Sequence, residues 1–584
     1  MKLAIIQQRI FSNNPQRNFE AMKAAIQTHK NQADIIVFPE MAVGGYMLGD
    51  KYNNLDTIHD FMQYNDQLKV LSEGTAVIWG NVHHDGKHLY NAAYFAVDGD
   101  WAQRASQTDR GIYFKHLLPN YTFFDDKRYF HAGHGNFEPF EFKGQKVAIQ
   151  ICEDMWDETH DMSPTTQMKA YNPDVMINIS ASPWVKGKET SRLDTIRRHN
   201  LSMPFVYVNA TGMQNNGKNV VVFDGGSLVV TPNTIHELPQ NFEQSETVID
   251  LMALEAHQNP VEHKLYEALI HAIRYFDEET LAYGPKWVVG VSGGLDSSVT
   301  VSLLVKALGE DRVLGVTMPS KFTRDITKSN AYHLSEKLNF KLLEIPIASM
   351  VDATLESLGH GGYETVEGLS YENIQARLRG HTLMSVSSLE NAVVSNNGNK
   401  IEVALGYATL YGDAIGALAI LGDLTKMEVG KVAQSLNEIA EAELVPQNLI
   451  PHDEATHVSW EFAPSAELKD DQFDPMKWGY HDALIEFLQK DSLEDLLTSY
   501  RDGTIYNTKL GSYLKTYQLD KPEAFIDDLK WVIRTMNVAV YKRIQMPPIV
   551  SVSDYAYGMT YRESQLPQTY TQKQRALMES ILKM

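Results

Sequence analysis

Cysteine is almost missing from this chain: Cys152 is the only one in 584 residues. No intrachain disulfide can form and no thiolate zinc cluster can assemble, so if that thiol matters, it matters through reactivity. Basic residues are also in short supply, 52 Lys and Arg against 74 Asp and Glu, for a net charge of -22. That balance argues against nucleic acid or an anionic membrane as a partner. No apolar run reaches membrane-spanning length, and the start, Met1-Lys2-Leu3-Ala4-Ile5-Ile6-Gln7, turns polar after a handful of residues. A soluble, cytoplasmic enzyme acting on small molecules is the expectation. Internal repeats and low-complexity tracts are lacking too, which excludes a solenoid or a disordered array.

What is present is length and apolar content enough for two cores, with 43% hydrophobic residues. Short β-rich runs at 33–38, 75–79, 147–151, 175–179 and 205–208 alternate with helical stretches at 19–29 and 189–200, which predicts an α/β layered domain over 1–252. The passage 231–248 reads as turn-rich and polar, and 253–260 as a linker. A second domain over 261–584 opens on a helix at 261–275 and continues as strand, helix, strand at 287–291, 297–308, 313–318, 325–338 and 341–345, the pattern of a doubly wound parallel sheet. Loops over a site are expected past 459, then helices at 482–488 and 522–541.

The turn between the first strand and helix of that second domain is Ser292-Gly293-Gly294-Leu295-Asp296-Ser297-Ser298. Glycines let backbone approach an anion, hydroxyls add donors, and the helix start offers unpaired N–H groups, so these seven residues are candidates for holding pyrophosphate or ATP. The Walker A lysine is missing and Asp296 stands inside the turn. A carboxylate among phosphates implies a metal ion between them.

Three segments of the first domain place a polar group after an apolar strand: Phe38-Pro39-Glu40, Phe114-Lys115 and Ile151-Cys152-Glu153. Singly, a surface glutamate, a solvated lysine and a small buried cysteine describe them as well. Together, in order and local sequence, they resemble the nitrilase family, whose fold is an α-β-β-α sandwich. The resemblance implies Cys152 as nucleophile, Glu40 as general base and acid, and Lys115 as oxyanion holder. Position by position it also implies Tyr121, Glu153, Ser182, Lys188 and Arg192 as glutamine contacts. Asp126 stands where the family favours glutamate.

Downstream of Ser292, the segments Met318-Pro319-Ser320, Glu372–Gly380, Gly398–Glu402, Gly406–Asp413, Pro464–Leu468 and Tyr541–Pro548 resemble the NAD synthetase family in order, and the nitrilase-like part in front points to its glutamine-dependent form. The fold implied is a Rossmann-like parallel sheet of the ATP pyrophosphatase type. The activity implied is ATP-dependent amidation of deamido-NAD through an adenylated intermediate, with ammonia delivered from glutamine along a protected path. The resemblance further implies Mg2+ on Asp296 and Glu402, deamido-NAD contacts at Arg377, Asp413 and Lys426, and a homo-oligomer larger than a dimer. Lys400 and Arg379 read equally well as solvated helix charges. Asn330, Asn397 and Ile401 depart from the family pattern. Two rivals stand: another adenylating amidoligase behind the same glutaminase, which the segments at 406–413 and 541–548 argue against, and a silent scaffold, which the retained Glu40, Lys115, Cys152 and Asp296 argue against.

Overall fold

The computed structural model describes residues 1–454, 457–469 and 474–584. They form two compact units: 1–216 with 220–275, and 217–219 with 276–584.

In the first unit, the strand Lys2–Gln7 alternates its side chains between two cores. Leu3 and Ile5 join one cluster with Val147, Ile149, Ile177 and Phe205, while Ala4 and Ile6 join another with Phe19, Met22 and Ile26. Every second residue therefore faces a second sheet and the others face a helix layer, which is why these strands read as continuous apolar runs. The first sheet runs in the order Ser245–Asp250, Lys2–Gln7, Ile35–Val37, Ala76–His84, Leu89–Val97, Asp100–Trp101, with Ile112–Phe114 also on Leu89–Val97. The second runs Ile235–Glu237, Leu228–Val230, Phe205–Asn209, Val175–Ser180, Gln145–Ile151, Phe140–Phe142. Helix Pro15–His29 covers the first sheet; Asn14 caps its start by accepting from Arg17 N, and Pro15 takes the first position, where a missing N–H costs nothing. This is the expected α-β-β-α layering.

The passage 231–248 is more regular than its composition predicts. Ser245–Asp250 is a strand, antiparallel to Lys2–Gln7 with Lys2 opposite Asp250. It lies at the sheet edge and is mostly half-exposed, so its residues are polar and the apolar alternation that marks a strand is missing. The helix expected at 261–275 spans Lys264–Glu279, and the division between the units falls inside it.

The second unit is built on a parallel sheet in the order Ile549–Val550, Leu418–Ala419, Ala392–Asn396, Lys286–Gly290, Val313–Thr317, Lys341–Glu344. Its first strand in the chain, Lys286–Gly290, pairs with Val313–Thr317 on one edge and Ala392–Asn396 on the other. The connection reverses direction there, and the crevice outside such a switch point is where open α/β sheets bind ligands. The turn at Ser292 begins at that crevice. Helices Ala348–His360 and Gly368–Leu389 had no counterpart in the sequence reading.

One glycine shows how tightly the first unit is built around Glu40. A Cβ on Gly80 would lie 2.5 Å from Glu40 Cα and 2.5 Å from Met41 N. Gly80→Ala is expected to cost about 1–3 kcal/mol of stability, the usual penalty of overpacking. Thermal unfolding should register it, and an unshifted transition would show that the strand can give way.

Candidate active sites

In the first unit the three catalytic candidates stand at strand ends. Glu40 follows Ile35–Val37, Lys115 follows Ile112–Phe114, and Cys152 opens a 3-10 turn directly after Gln145–Ile151. Glu40 and Lys115 are fully buried, and Cys152 is 4% exposed. Lys115 Nζ donates to Glu40 Oε1 at 2.9 Å and to Asp126 Oδ2 at 2.9 Å. Glu40 also accepts from Asn91 Nδ2 at 2.6 Å and from the Ala181 N–H at 2.7 Å. The Tyr46 hydroxyl donates to Asp126. Burial works against the Lys115 charge, yet the Asp126 and Glu40 carboxylates outweigh it and raise its pKa well above the ordinary lysine range. Burial pushes the Cys152 thiol well above its usual value, Glu40 adds to the rise, and Lys115 opposes it. The resting group is therefore a thiol.

Cys152 has φ of 41°, a left-handed conformation that L residues rarely adopt. Asp154, fully buried, holds that turn: it accepts from the N–H groups of Ile151 at 3.0 Å, His116 at 3.0 Å and Leu117 at 2.9 Å, and from the Tyr113 hydroxyl at 2.9 Å. One carboxylate thus ties the Cys152 turn to the chain leaving Lys115.

Among the expected glutamine contacts, Glu153 and Tyr121 meet, the Tyr121 hydroxyl lying 3.1 and 2.8 Å from the two carboxylate oxygens. The charges of Glu153 and Lys188 both act on Cys152, and Lys188 Nζ lies 4.4 Å from the centre of the Trp156 ring. Ser182 is 2% exposed, its N–H given to Asn209 Oδ1 at 2.9 Å. Arg192 is committed elsewhere. Its terminal nitrogens donate to Asp224 Oδ1 at 3.1 Å and Gly226 O at 2.7 Å, and Asp224 also takes Lys264 Nζ at 3.0 Å.

In the second unit the turn after Lys286–Gly290 opens on a cleft of about 450 Å3 lined by Ser292, Gly294, Leu295, Asp296 and Ser297, together with Glu402, Asp413 and Lys426. Gly294 stands before helix Leu295–Leu308 without a capping side chain, so its first N–H groups are left for a ligand. Gly293 and Ser298 serve the turn itself. Gly293 has φ of 81°, and a Cβ there would lie 1.9 Å from Thr327 O. Ser298, fully buried, donates to Gly294 O at 2.7 Å.

Asp296 and Glu402 share one ammonium. Lys426 Nζ pairs with Asp296 Oδ2 and lies 3.9 Å from Glu402 Oε1. Asn399 links the two acids: its Nδ2 donates to Asp296 Oδ1 at 3.2 Å, and its N–H to Glu402 Oε2 at 3.2 Å. Burial and then the Asp296 charge push the Glu402 carboxyl well up. Asp474, which no motif marked, lines the same cleft and accepts from the Tyr407 hydroxyl at 3.2 Å.

Against known proteins, a family model described as carbon-nitrogen hydrolase matches residues 2–254, and one described as NAD synthase matches residues 266–508. The chain is 30% identical over 515 residues to the glutamine-dependent NAD(+) synthetase of Acinetobacter baylyi, covering 85% of this chain and 88% of that protein. The chain belongs to the glutamine-dependent NAD+ synthetase family. It is 29% identical over 576 residues to the Synechocystis synthetase of the same name, covering 92% of this chain and 93% of that one. The solved glutamine-dependent NAD+ synthetase of Acinetobacter baumannii, in complex with adenosine diphosphate, superposes with a TM-score of 0.70 at 26% identity, covering 95% of this chain and 97% of that one.

Against that family's pattern, the departures have local accounts. Asp126 reaches Lys115 despite its shorter side chain. Asn330 donates to Gly293 O at 3.3 Å and Asn397 to Gly290 O at 2.8 Å, so both steady the turn at Ser292. Ile401 is fully buried in the core around helix Tyr480–Lys490. Arg377 lines a neighbouring surface pocket with Tyr363 and Glu367, while Arg379 lines the main cleft. Tyr46, Asn91, Asp154 and Asp474 escaped the sequence reading. Asp154 alone had a signal, its place two residues after the lone cysteine.

Lys400 is no solvated charge. It is 1% exposed and donates to Asp423 Oδ1 at 2.9 Å and Ser553 Oγ at 3.2 Å. Lys400→Met would leave Asp423 buried without its cation, and a stability loss of about 3–5 kcal/mol is expected. Chemical denaturation checks it; a loss under about 1 kcal/mol would mean that the Val552 and Ser553 donors suffice for Asp423 without the cation.

Proposed function

We propose that the first unit hydrolyses glutamine and that the second uses the ammonia to amidate deamido-NAD at the expense of ATP. The observation that carries the reading is the meeting of a buried Glu40–Lys115 pair with the chain's only cysteine, whose thiol responds to both charges.

The Cys152 sulfur attacks the side-chain carboxamide carbon as Glu40 takes the thiol proton. Lys115 and its carboxylates are already in place, so the ammonium stabilises the oxyanion without reorganising. Glu40 passes the proton to the leaving nitrogen, ammonia departs, and a thioester remains on Cys152. Glu40 then draws a proton from water, which cleaves the thioester to glutamate and returns the thiol. Glu153, Tyr121, Ser182 and Lys188 hold the substrate's amino and carboxylate groups, and Arg192 positions the segment that carries them.

In the second unit, the N–H groups after Gly294 and the hydroxyls of Ser292 and Ser297 hold the pyrophosphate. The nicotinate carboxylate of deamido-NAD attacks the α-phosphorus, pyrophosphate leaves, and ammonia then displaces AMP from the acyl adenylate. A carboxylate is a poor acceptor for ammonia, and adenylation supplies the leaving group. The nucleotide reading is supported by the adenosine diphosphate complex of the Acinetobacter baumannii relative. Asp413, Lys426 and Arg379 face the deamido-NAD side, and Arg379 is better placed than Arg377.

Asp296 and Glu402 suit Mg2+: two hard oxygen donors share a single ammonium, and burial together with the neighbouring Asp296 charge drives Glu402 toward protonation. When bound, the ion supplies neutralisation of the phosphate oxygens. A homo-oligomer is proposed on the family resemblance alone. No helix among the described residues is long and apolar enough to cross a membrane.

Two substitutions separate the two chemistries. Cys152→Ala should lose NAD formation from glutamine by more than about 1000-fold while keeping the ammonium-driven rate. Asp296→Ala should lose both. Measuring NAD from deamido-NAD and ATP with each nitrogen source decides; glutamine-driven synthesis surviving Cys152→Ala, or any normal synthesis by Asp296→Ala, would refute the respective assignment.

A further inference from the structure

Glu153 directly follows Cys152 and is 2% exposed, and among the described residues the ion pair given for it is with His160. Tyr121 approaches both its oxygens with one hydroxyl hydrogen, which can serve only one at a time. The second partner is His160, whose Nε2 lies 3.1 Å from Glu153 Oε1. A carboxylate only accepts, so this ring nitrogen carries the hydrogen, in the neutral ring or the charged one alike. Burial drives Glu153 toward its neutral form, and the His160 hydrogen bond leads the effects that oppose it.

His160 is better anchored than Tyr121. Tyr121 is 48% exposed, on the loop after Lys115. His160 closes the short turn Asp157–Thr159, its N–H given to Asp157 O at 3.0 Å. Arg198 clamps that turn from the end of helix Lys188–Arg198, reaching Asp157 at 2.8 Å and Glu158 at 2.7 Å. Lys188, at the other end of the same helix, is the residue whose charge reaches Cys152. One helix therefore fixes both Lys188 and the turn that presents His160.

We propose that His160 is a positioning residue for substrate specificity: its Nε2–H fixes the Glu153 carboxylate to receive the substrate's α-ammonium, so the site selects α-amino amides over amides lacking that group. This rests on the reading of Glu153 as a glutamine contact. The imidazole touches no reacting atom, and its effect falls on binding and discrimination.

The test uses the full chain, with ammonia release measured from L-glutamine and from glutaric acid monoamide, the same skeleton without the amino group. His160→Leu should lower kcat/KM for L-glutamine about tenfold through KM, with kcat changed less than about twofold and the monoamide barely affected, the scale of one hydrogen bond to a charged group. His160→Gln, which restores a neutral N–H donor, should recover most of the loss, and ammonium-driven NAD formation should be unchanged in both. An equal loss on both amides, or none on L-glutamine, would overturn the proposal. Glu153→Gln separates it from its premise. If that variant leaves discrimination between the two amides intact, the Glu153 reading itself fails; if discrimination collapses there but not in His160→Leu, only the role of His160 fails.

Discussion

A lysine ammonium with no access to water sets the terms for the first unit. Taking such a charge out of solvent costs several kcal/mol, and only well-placed anions and hydrogen bonds recover it. Lys115 finds two carboxylates, and each of these has further partners: Asn91 and the Ala181 N–H on Glu40, Tyr46 on Asp126. The network draws on strand ends and loops spread from residue 40 to residue 181, so the two sheets must stack in one register for it to close. The close approach at Gly80 follows from this, because the chain at Glu40 has nowhere else to pass. A site sealed in this way suits a reaction that holds a thioester and admits water only in its second half.

The second unit uses the same device with the opposite exposure. Lys426 also lies between two carboxylates, but the side chains of Asp296 and Glu402 are 16% and 20% exposed and line an open cleft. Its acids keep capacity for a further cation, whereas Glu40 and Asp126 are closed around theirs. The difference matches the ligands proposed, a small amide in one unit and two nucleotides with a divalent ion in the other. Asn399 makes the open arrangement stable: it caps helix Lys400–Leu405 and holds both acids, so they stay together when the cleft is empty.

The sequence made legible what repeats or stands against a strong background. Alternating apolar strands, the glycine-rich turn and the lone cysteine each carried local signals, and strands such as Val175–Ser180 and Val313–Thr317 lie where their apolar runs predict. The edge strand Ser245–Asp250 was not legible, because it has an open side and a polar composition to match. Partners supplied by tertiary closure were also hidden. Tyr46, Asn91 and Asp474 sit in ordinary local sequence and acquire meaning only from a neighbour distant in the chain, as Asn91 does from Glu40. Arg377 and Arg379 show the converse: a motif marks both, and only the path of helix Gly368–Leu389 decides which faces the cleft.

Asp154 shows why Cys152 can sit where it does. A cysteine in the left-handed region costs of order 1–3 kcal/mol, and a strand end alone gives no reason to accept it. Asp154 offsets that cost with four donors, two of them N–H groups from the chain that has just left Lys115. The strain at Cys152 and the placement of Lys115 are therefore one problem with one solution. Since a buried carboxylate with four donors cannot shift without stranding several of them, Cys152 and Lys115 keep their spacing, as the proposed movement of charge from Glu40 to sulfur and back requires.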